Sequence, residues 1–255
     1  MRYSACIDML FVPESADPAQ RIRLAKAAGF DAVEFWLWSN KDLDAIEDAL
    51  GETGLTLAGI VAEPFAELTR TTDHQRFFDG LAQGRDVALR LGAKMLIAQG
   101  GPELSGVSRA SQHDALVEAM AGSADVLKGS GLRLGLEPLN TRVDHPRYYL
   151  SSTREGFEIV DAVNRPEIGL TYDLYHSMVM DESPQEVAAG HIDRIVHIHI
   201  ADHPGRNQPG TGGLALAGAV TWLVDNGYEG FAGLEYRPVG DSAASFEQTK
   251  AALGR

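Results

Sequence analysis

The chain has 255 residues, 44% of them hydrophobic and 23% charged, an ordinary globular composition with enough length for one large domain or two small ones. Its formal net charge of −14 argues against nucleic acid and anionic membrane surfaces as partners, since both are recruited mainly by Lys and Arg. The single cysteine, Cys6, excludes an intramolecular disulfide and a cysteine metal knot, and reads as a small apolar strand residue. No basic segment leads into a long apolar run at the start, and no run approaches the roughly 18 apolar residues of a membrane span, so a cytoplasmic protein is expected.

Apolar, β-rich runs then alternate with helical patterns along the chain. YSACIDML (3–10) leads into DPAQRIRLAKAAG, where Ile22, Ala25 and Lys26 fall at helical spacing and Gly29 offers a stop. AVEFWLW (32–38) is followed by LDAIEDALGETG, and LTLAGIVA (55–62) by HQRFFDGLAQGRDVALRLG. AKMLIAQG (93–100) precedes QHDALVEAMAGSADVLKGSG, and LRLGLEPL (132–139) precedes STREGFEIVDAVN, which opens with Ser/Thr and a Glu as a capping box would. IGLTYDLY (168–175), IVHIHIAD (195–202), the helical LALAGAVTWLVDNG and FAGLEYRP (231–238) complete the series. Strand–helix alternation implies a parallel sheet, and eight units imply closure into a single α/β domain, a (β/α)8 TIM barrel over residues 1–255. No linker or charge block marks a second domain, and no GxGxxG or GxxxxGK[ST] follows a strand, so a nucleotide phosphate cradle is not indicated.

In such a barrel the C-terminal strand ends carry the active site. Strands five to eight end in otherwise apolar runs with Glu137, Asp173, His199 and Glu235. A lone buried carboxylate is costly unless paired or coordinated, so four such groups on consecutive strands point to a common divalent cation. Oxygen and nitrogen donors of this kind suit Mn²⁺, Mg²⁺ or Co²⁺, with Zn²⁺ also compatible. Strand periodicity puts His197 on the same face as His199 and one layer deeper, where it serves as a hydrogen-bonding group beneath the metal. Glu34, inside strand two, is a candidate to pair with His197 or with another donor in the barrel interior.

GLEPLNTR, YDLYH, HIHIADHPGRNQPGTG and GLEYRP together resemble the hydroxypyruvate isomerase family, within the xylose-isomerase-like barrels of sugar isomerases and epimerases. The resemblance spans nearly the whole chain, including CIDMLF and AAGFDAVEF. It implies a metal-dependent isomerase of carbohydrate metabolism, with Glu137, Asp173, His199 and Glu235 binding the metal. It also implies Glu137 and Glu235 as proton donor and acceptor, and His176 and Arg206 as contacts to substrate oxygens. Relatives of this kind are often dimers or tetramers, so the resemblance implies a homo-oligomer. Hydroxypyruvate isomerases usually carry glutamine where this chain has His199, and histidine there is typical of ketose 3-epimerases. The segment rich in Asn, Trp and Gly that follows strand three in hydroxypyruvate isomerases is absent. Isomerase and 3-epimerase therefore both remain open, with a small-molecule substrate in either case.

The chemistry is consistent with this set. Moving a proton beside a carbonyl creates an enediolate, which a cation on adjacent oxygens would stabilise while flanking carboxylates move the proton. The loop ADHPGRNQPGTG is rich in Pro and Gly and shapes a tight turn from which Arg206 can point inward; the alternative is a surface ion pair with Asp202 or Asp241. Trp36, Trp38, Phe65 and Tyr148 are candidates to wall the pocket, and Glu63 is a further candidate substrate contact beside Trp36. His145 and His203 read as exposed loop residues. The endonuclease branch of the same superfamily uses a multi-zinc site and grips DNA, and the acidic balance with only eight histidines argues against it. A non-catalytic sugar-binding barrel would not need the Glu137/Glu235 pair.

Overall fold

The computed structural model describes residues 1–254. Its strands are β1 (Arg2–Cys6), β2 (Ala32–Phe35), β3 (Thr56–Val61), β4 (Met95–Gln99), β5 (Arg133–Glu137), β6 (Ile168–Asp173), β7 (Ile195–Ile200) and β8 (Phe231–Leu234). Each pairs in parallel with its neighbours in sequence, and β8 returns to β1 through Arg2 opposite Phe231, closing the barrel. The eight apolar runs are the eight strands, although several stop short of the runs that announced them. Asp8 to Leu10 form a turn rather than strand, and Trp36 to Trp38 leave the sheet.

The surrounding helices are α1 (Pro18–Ala27), α2 (Leu43–Thr53), α3 (His74–Leu91), α4 (Arg109–Leu127), α5 (Thr153–Val163), α6 (Leu174–Val179), α7 (Pro184–Val187), α8 (Leu216–Asp225) and α9 (Ser242–Leu253). No helix is expected from the sequence in the β6–β7 link or after β8; short α6 and α7 occupy the first and α9 the second. Local chemistry sets the boundaries. Asp17 accepts from the Ala19 N–H and Pro18 opens α1, while Asp42 caps α2 by accepting from Ala45. Only half of the anticipated capping box forms at α5. Ser152 accepts from the Glu155 N–H, but the Glu155 carboxylate is taken by Arg109 and the Tyr149 hydroxyl.

One helix face packs on the outside of the barrel. In α2 this face is Ile46, Ala49 and Leu50, and in α5 it includes Phe157, Ile159 and Val160. Each such large apolar side chain contributes about 1.5–3 kcal/mol on full burial. Inside the barrel Val61, Met95 and Ile97 form a separate small cluster with Val196. Val196 occupies a one-residue register shift where Leu170 pairs with Ile195 but Thr171 with His197. This apolar plug fills the barrel and leaves a polar layer above it. Register then aligns the strand ends, with Gln99 opposite Glu137, Asp173 opposite His199, and His199 opposite Gly233. Among the described residues no helix is long and apolar enough to cross a membrane.

Candidate active site

Glu137 and Asp173 are the last residues of β5 and β6, His199 is the penultimate residue of β7, and Glu235 directly follows β8. All four are buried, and one ligand atom from each lies within 4.8 Å of the others. His199 Nδ1 is 2.9 Å from Glu137 Oε1 and 3.8 Å from Glu235 Oε2. Three carboxylates held this close out of water repel one another, and burial adds to the cost. Burial raises the Glu137 and Asp173 carboxyls above the usual range, and neighbouring carboxylates push further the same way. Burial also works against ionised Glu235, but Arg206, His199 and the Trp36 indole outweigh it and hold this group low. The concentration of negative charge, the mixed oxygen and imidazole donors and the short separations all fit a divalent cation.

A second buried layer supports the first. Glu34 Oε2 is hydrogen-bonded to His197 Nε2 at 2.9 Å, so of the partners open to Glu34 from the sequence, His197 is the one it takes. Its other oxygen lies 2.9 Å from His199 Nε2, yet the angle there is too bent for a formed hydrogen bond. Glu34 thus lies between the two imidazoles, hydrogen-bonded to His197 and in close charge contact with His199, whose Nδ1 faces Glu137; carboxylates in such positions orient metal-binding histidines. Burial alone would raise the Glu34 carboxyl, but the two imidazoles hold it far below its ordinary value. The space for this layer comes from Gly233. A Cβ there would lie 2.5 Å from Glu34 Oε1, 2.6 Å from His197 Nε2 and 2.6 Å from His199 Cδ2. Gly233→Ala is expected to destabilise the protein by about 1–3 kcal/mol through overpacking. Displacing the group that orients His199 should also weaken divalent-metal affinity by about 10- to 100-fold. Thermal unfolding and a Mn²⁺ titration of the variant check both effects.

Above the cluster is a cavity of about 370 Å³ whose lining includes Glu137, His199, Glu235, His176, Arg206 and Trp36. The apolar Val61 and Ile97 are its floor. Arg206 reaches inward and pairs with Glu235, with Asp173 3.7 Å away. The surface pair with Asp202 or Asp241 does not form. Asp241 caps α9, and Asp202 is buried and accepts four backbone N–H groups, from His203, Gly210, Gly212 and Leu214. Asp202 is thus the hub that folds the Pro/Gly loop around itself. That closure holds Arg206 at φ 53°, a left-handed conformation costing about 1–2 kcal/mol for a non-glycine residue.

His176, on α6, faces the same cavity. Its Nδ1 accepts hydrogen bonds from the Asn140 backbone N–H (3.1 Å) and side-chain amide (2.7 Å). The ring proton is therefore on Nε2, which is buried, has no hydrogen-bond partner and is 3.5 Å from Asp173 Oδ2. Burial, reinforced by Arg206, keeps His176 neutral by pushing its pKa well down. Asn140 was not singled out from the sequence, although it closes the EPLN motif. Nothing in the sequence distinguishes an amide that sets a tautomer from an ordinary loop asparagine.

Trp36 is 37% exposed at the cavity wall and donates its indole N–H to Glu235 Oε1 at 2.7 Å. The contact gives a direct signal for occupancy of the cluster. Mn²⁺ or Mg²⁺ binding to Glu235 is expected to change Trp36 fluorescence, and Trp36→Phe should remove most of the change. An identical metal-dependent signal in the variant would place the ion elsewhere.

Four expectations need correction. Glu63 does not line this cavity; its carboxylate is spent on the backbone N–H groups of Trp38 and Ser39 and the Ser39 hydroxyl. Trp38 also lies outside it, packed against the core. His145 is half-buried in the cavity wall, with its ring centroid 5.3 Å from that of His176. His203 is half-buried rather than exposed. Of the other aromatic candidates, Phe65 does line the cavity, and Tyr148 buttresses it from behind by donating to the Glu137 carbonyl. Gln99 and Arg237 also line it, and neither was identified from the sequence.

Comparison with known proteins agrees with this architecture. Residues 22–253 match the family model described as xylose isomerase-like TIM barrel. The chain is 30% identical to the hydroxypyruvate isomerase of Escherichia coli K12, over 93% of this chain and 94% of that protein. It is 26% identical to the 2-oxo-tetronate isomerase of Pectobacterium atrosepticum, over 94% of this chain and 93% of the relative. Among solved structures, an AP endonuclease of family 2 from Brucella melitensis superimposes with a TM-score of 0.90 at 28% identity, covering 98% of each chain. With a closed eight-stranded parallel barrel and full-length relatives named as isomerases, the chain belongs to the hydroxypyruvate isomerase family of xylose isomerase-like TIM barrels and is an enzyme of the isomerase type.

Proposed function

We propose that this protein is a divalent-metal-dependent isomerase of small hydroxy-carbonyl acids, with hydroxypyruvate and tartronate semialdehyde as the first pair to test. The observation that carries the reading is the buried Glu137, Asp173, His199 and Glu235 cluster opening into a small cavity. The names of the E. coli and Pectobacterium relatives support the same substrate class.

A divalent ion held by Glu137, Asp173, His199 and Glu235 would supply Lewis acidity that stabilises negative charge developing on the substrate. The residues themselves do the rest. Glu137, at the end of β5, and Glu235, just beyond β8, present carboxylates to one cavity and can remove and return the carbon-bound proton. Trp36 and Arg206 fix the orientation of Glu235. His176 offers its unpartnered Nε2–H to a substrate oxygen. Phe65, Val61 and Ile97 limit water around the reacting carbons. His176→Ala is expected to raise KM about tenfold through the lost hydrogen bond. Steady-state kinetics with metal-saturated enzyme check it, and unchanged KM and kcat would remove His176 from the site.

A second reading is a ketose 3-epimerase, favoured by histidine at position 199 in a ligand set flanked by two glutamates. The deciding experiment offers hydroxypyruvate, tetronates and C4–C6 ketoses with Mn²⁺, Mg²⁺ or Co²⁺, following product identity and solvent-deuterium incorporation. Aldose–ketose products from acids support the isomerase, whereas inversion at C3 of a ketose supports the epimerase. Full activity after exhaustive chelation would overturn the metal-dependent reading.

A further inference from the structure

The cavity's cations are not equivalent. Arg206, the cation anticipated for substrate, already has its charge engaged by Glu235 and Asp173. Arg237 lies two residues beyond Glu235 and also lines the cavity. Its backbone is fixed to the Arg206 loop, donating to the Arg206 carbonyl at 2.8 Å and accepting from Asn207 Nδ2 at 2.8 Å. Among the described residues its guanidinium has no carboxylate partner and no hydrogen bond, although its main chain is anchored.

Two further donors in the same cavity are unspent. The buried His176 Nε2 and Arg206 Nε have no hydrogen-bond partner. By contrast, the carboxylates have roles within the protein. Asp144 is held by the Tyr175 hydroxyl at 2.6 Å and by Asn140, while Glu137 and Glu235 belong to the ligand cluster. The free recognition capacity is therefore donor-rich and carries one uncommitted positive charge. A complementary ligand is small, rich in acceptor oxygens and anionic at the end that meets Arg237.

We propose that Arg237 is the specificity-determining anchor for the substrate carboxylate, selecting hydroxy and oxo acids over neutral ketoses. This rests on the isomerase reading for the identity of the substrate, but the anion subsite itself is independent of turnover. A planar guanidinium suits a carboxylate because it can offer two parallel N–H donors. Arg237 is exposed at the cavity wall, so the contact contributes to affinity and selectivity rather than to bond making.

The test compares wild type with Arg237→Gln and Arg237→Lys, all loaded with Mn²⁺. Calorimetry measures binding of glycerate, a non-isomerising hydroxy acid, against glycerol, its neutral counterpart. Arg237→Gln should weaken glycerate binding by about 10- to 100-fold, the range of a charge-assisted hydrogen bond, and lose the preference over glycerol. Arg237→Lys should retain part of the preference, because charge persists without the planar fork. With hydroxypyruvate as substrate, the loss in Arg237→Gln should fall mainly on KM. Glycerate binding equal to wild type in Arg237→Gln overturns the anchor even if hydroxypyruvate is isomerised. Arg237-dependent glycerate binding with no isomerisation of any acid keeps the anchor and overturns the isomerase reading instead.

Discussion

Glu137→Gln and Glu235→Gln should each lower turnover by about 10²–10⁴-fold in metal-saturated protein, the usual contribution of a general acid–base group. Glutamine retains a carbonyl oxygen for an ion but cannot accept a proton. Glutamine keeps the side-chain shape at both positions, but at Glu235 its NH2 would face a donor, from Trp36 or Arg206, so thermal unfolding of Glu235→Gln must be compared with wild type beside the rate. Metal content must be measured alongside rate, because each residue also belongs to the ligand cluster. In an isomerase that moves one proton on one face, one glutamate would dominate exchange of the carbon-bound hydrogen. In a 3-epimerase, each variant would retain exchange from one epimer and lose it from the other. Wild-type turnover in either variant would remove that residue from the proton transfer.

Arg206→Ala is expected to destabilise the metal-free protein by about 3–5 kcal/mol, the cost of removing one partner from a buried ion pair. Glu235 and Asp173 would be left buried without their guanidinium, and the loop closed by Asp202 would lose its inward anchor. The sign of the metal effect is specific. Added Mn²⁺ should recover part of the lost stability, because a bound cation replaces the missing positive charge and favours the folded state by mass action. Melting curves with and without Mn²⁺ provide the check. Equal stability of wild type and variant without metal would mean that the Arg206 pair contributes nothing net. Arg206→Lys should recover stability incompletely, since an ammonium keeps the charge but not the planar fork.

The sequence by itself determined the barrel and most of the cluster. Eight apolar runs separated by helical patterns specify a closed parallel sheet, since strands buried on both faces must be apolar throughout. An ionisable residue at the end of such a run is conspicuous, so Glu137, Asp173, His199 and Glu235 were legible, and period-two alternation placed His197 on the face of His199, with Glu34 a candidate partner. Contacts between distant loops were not legible, because they depend on where a chain goes after leaving the sheet. Glu63 was read toward the cavity, but the β2–β3 side of the barrel turns its carboxylate onto Trp38 and Ser39. Arg206 was expected to point inward, but the reason it does was not legible: the folded loop wraps four N–H groups around Asp202, the alternative partner, and leaves Arg206 to Glu235. Asn140, Gly233 and Arg237 sit inside motifs that were noticed for other residues. Their roles arise from a hydrogen bond across 36 residues, a missing Cβ and an unpaired charge. Strand patterning is a local, repetitive signal of burial, whereas tautomer, clearance and charge pairing are set by neighbours that only the closed barrel brings together.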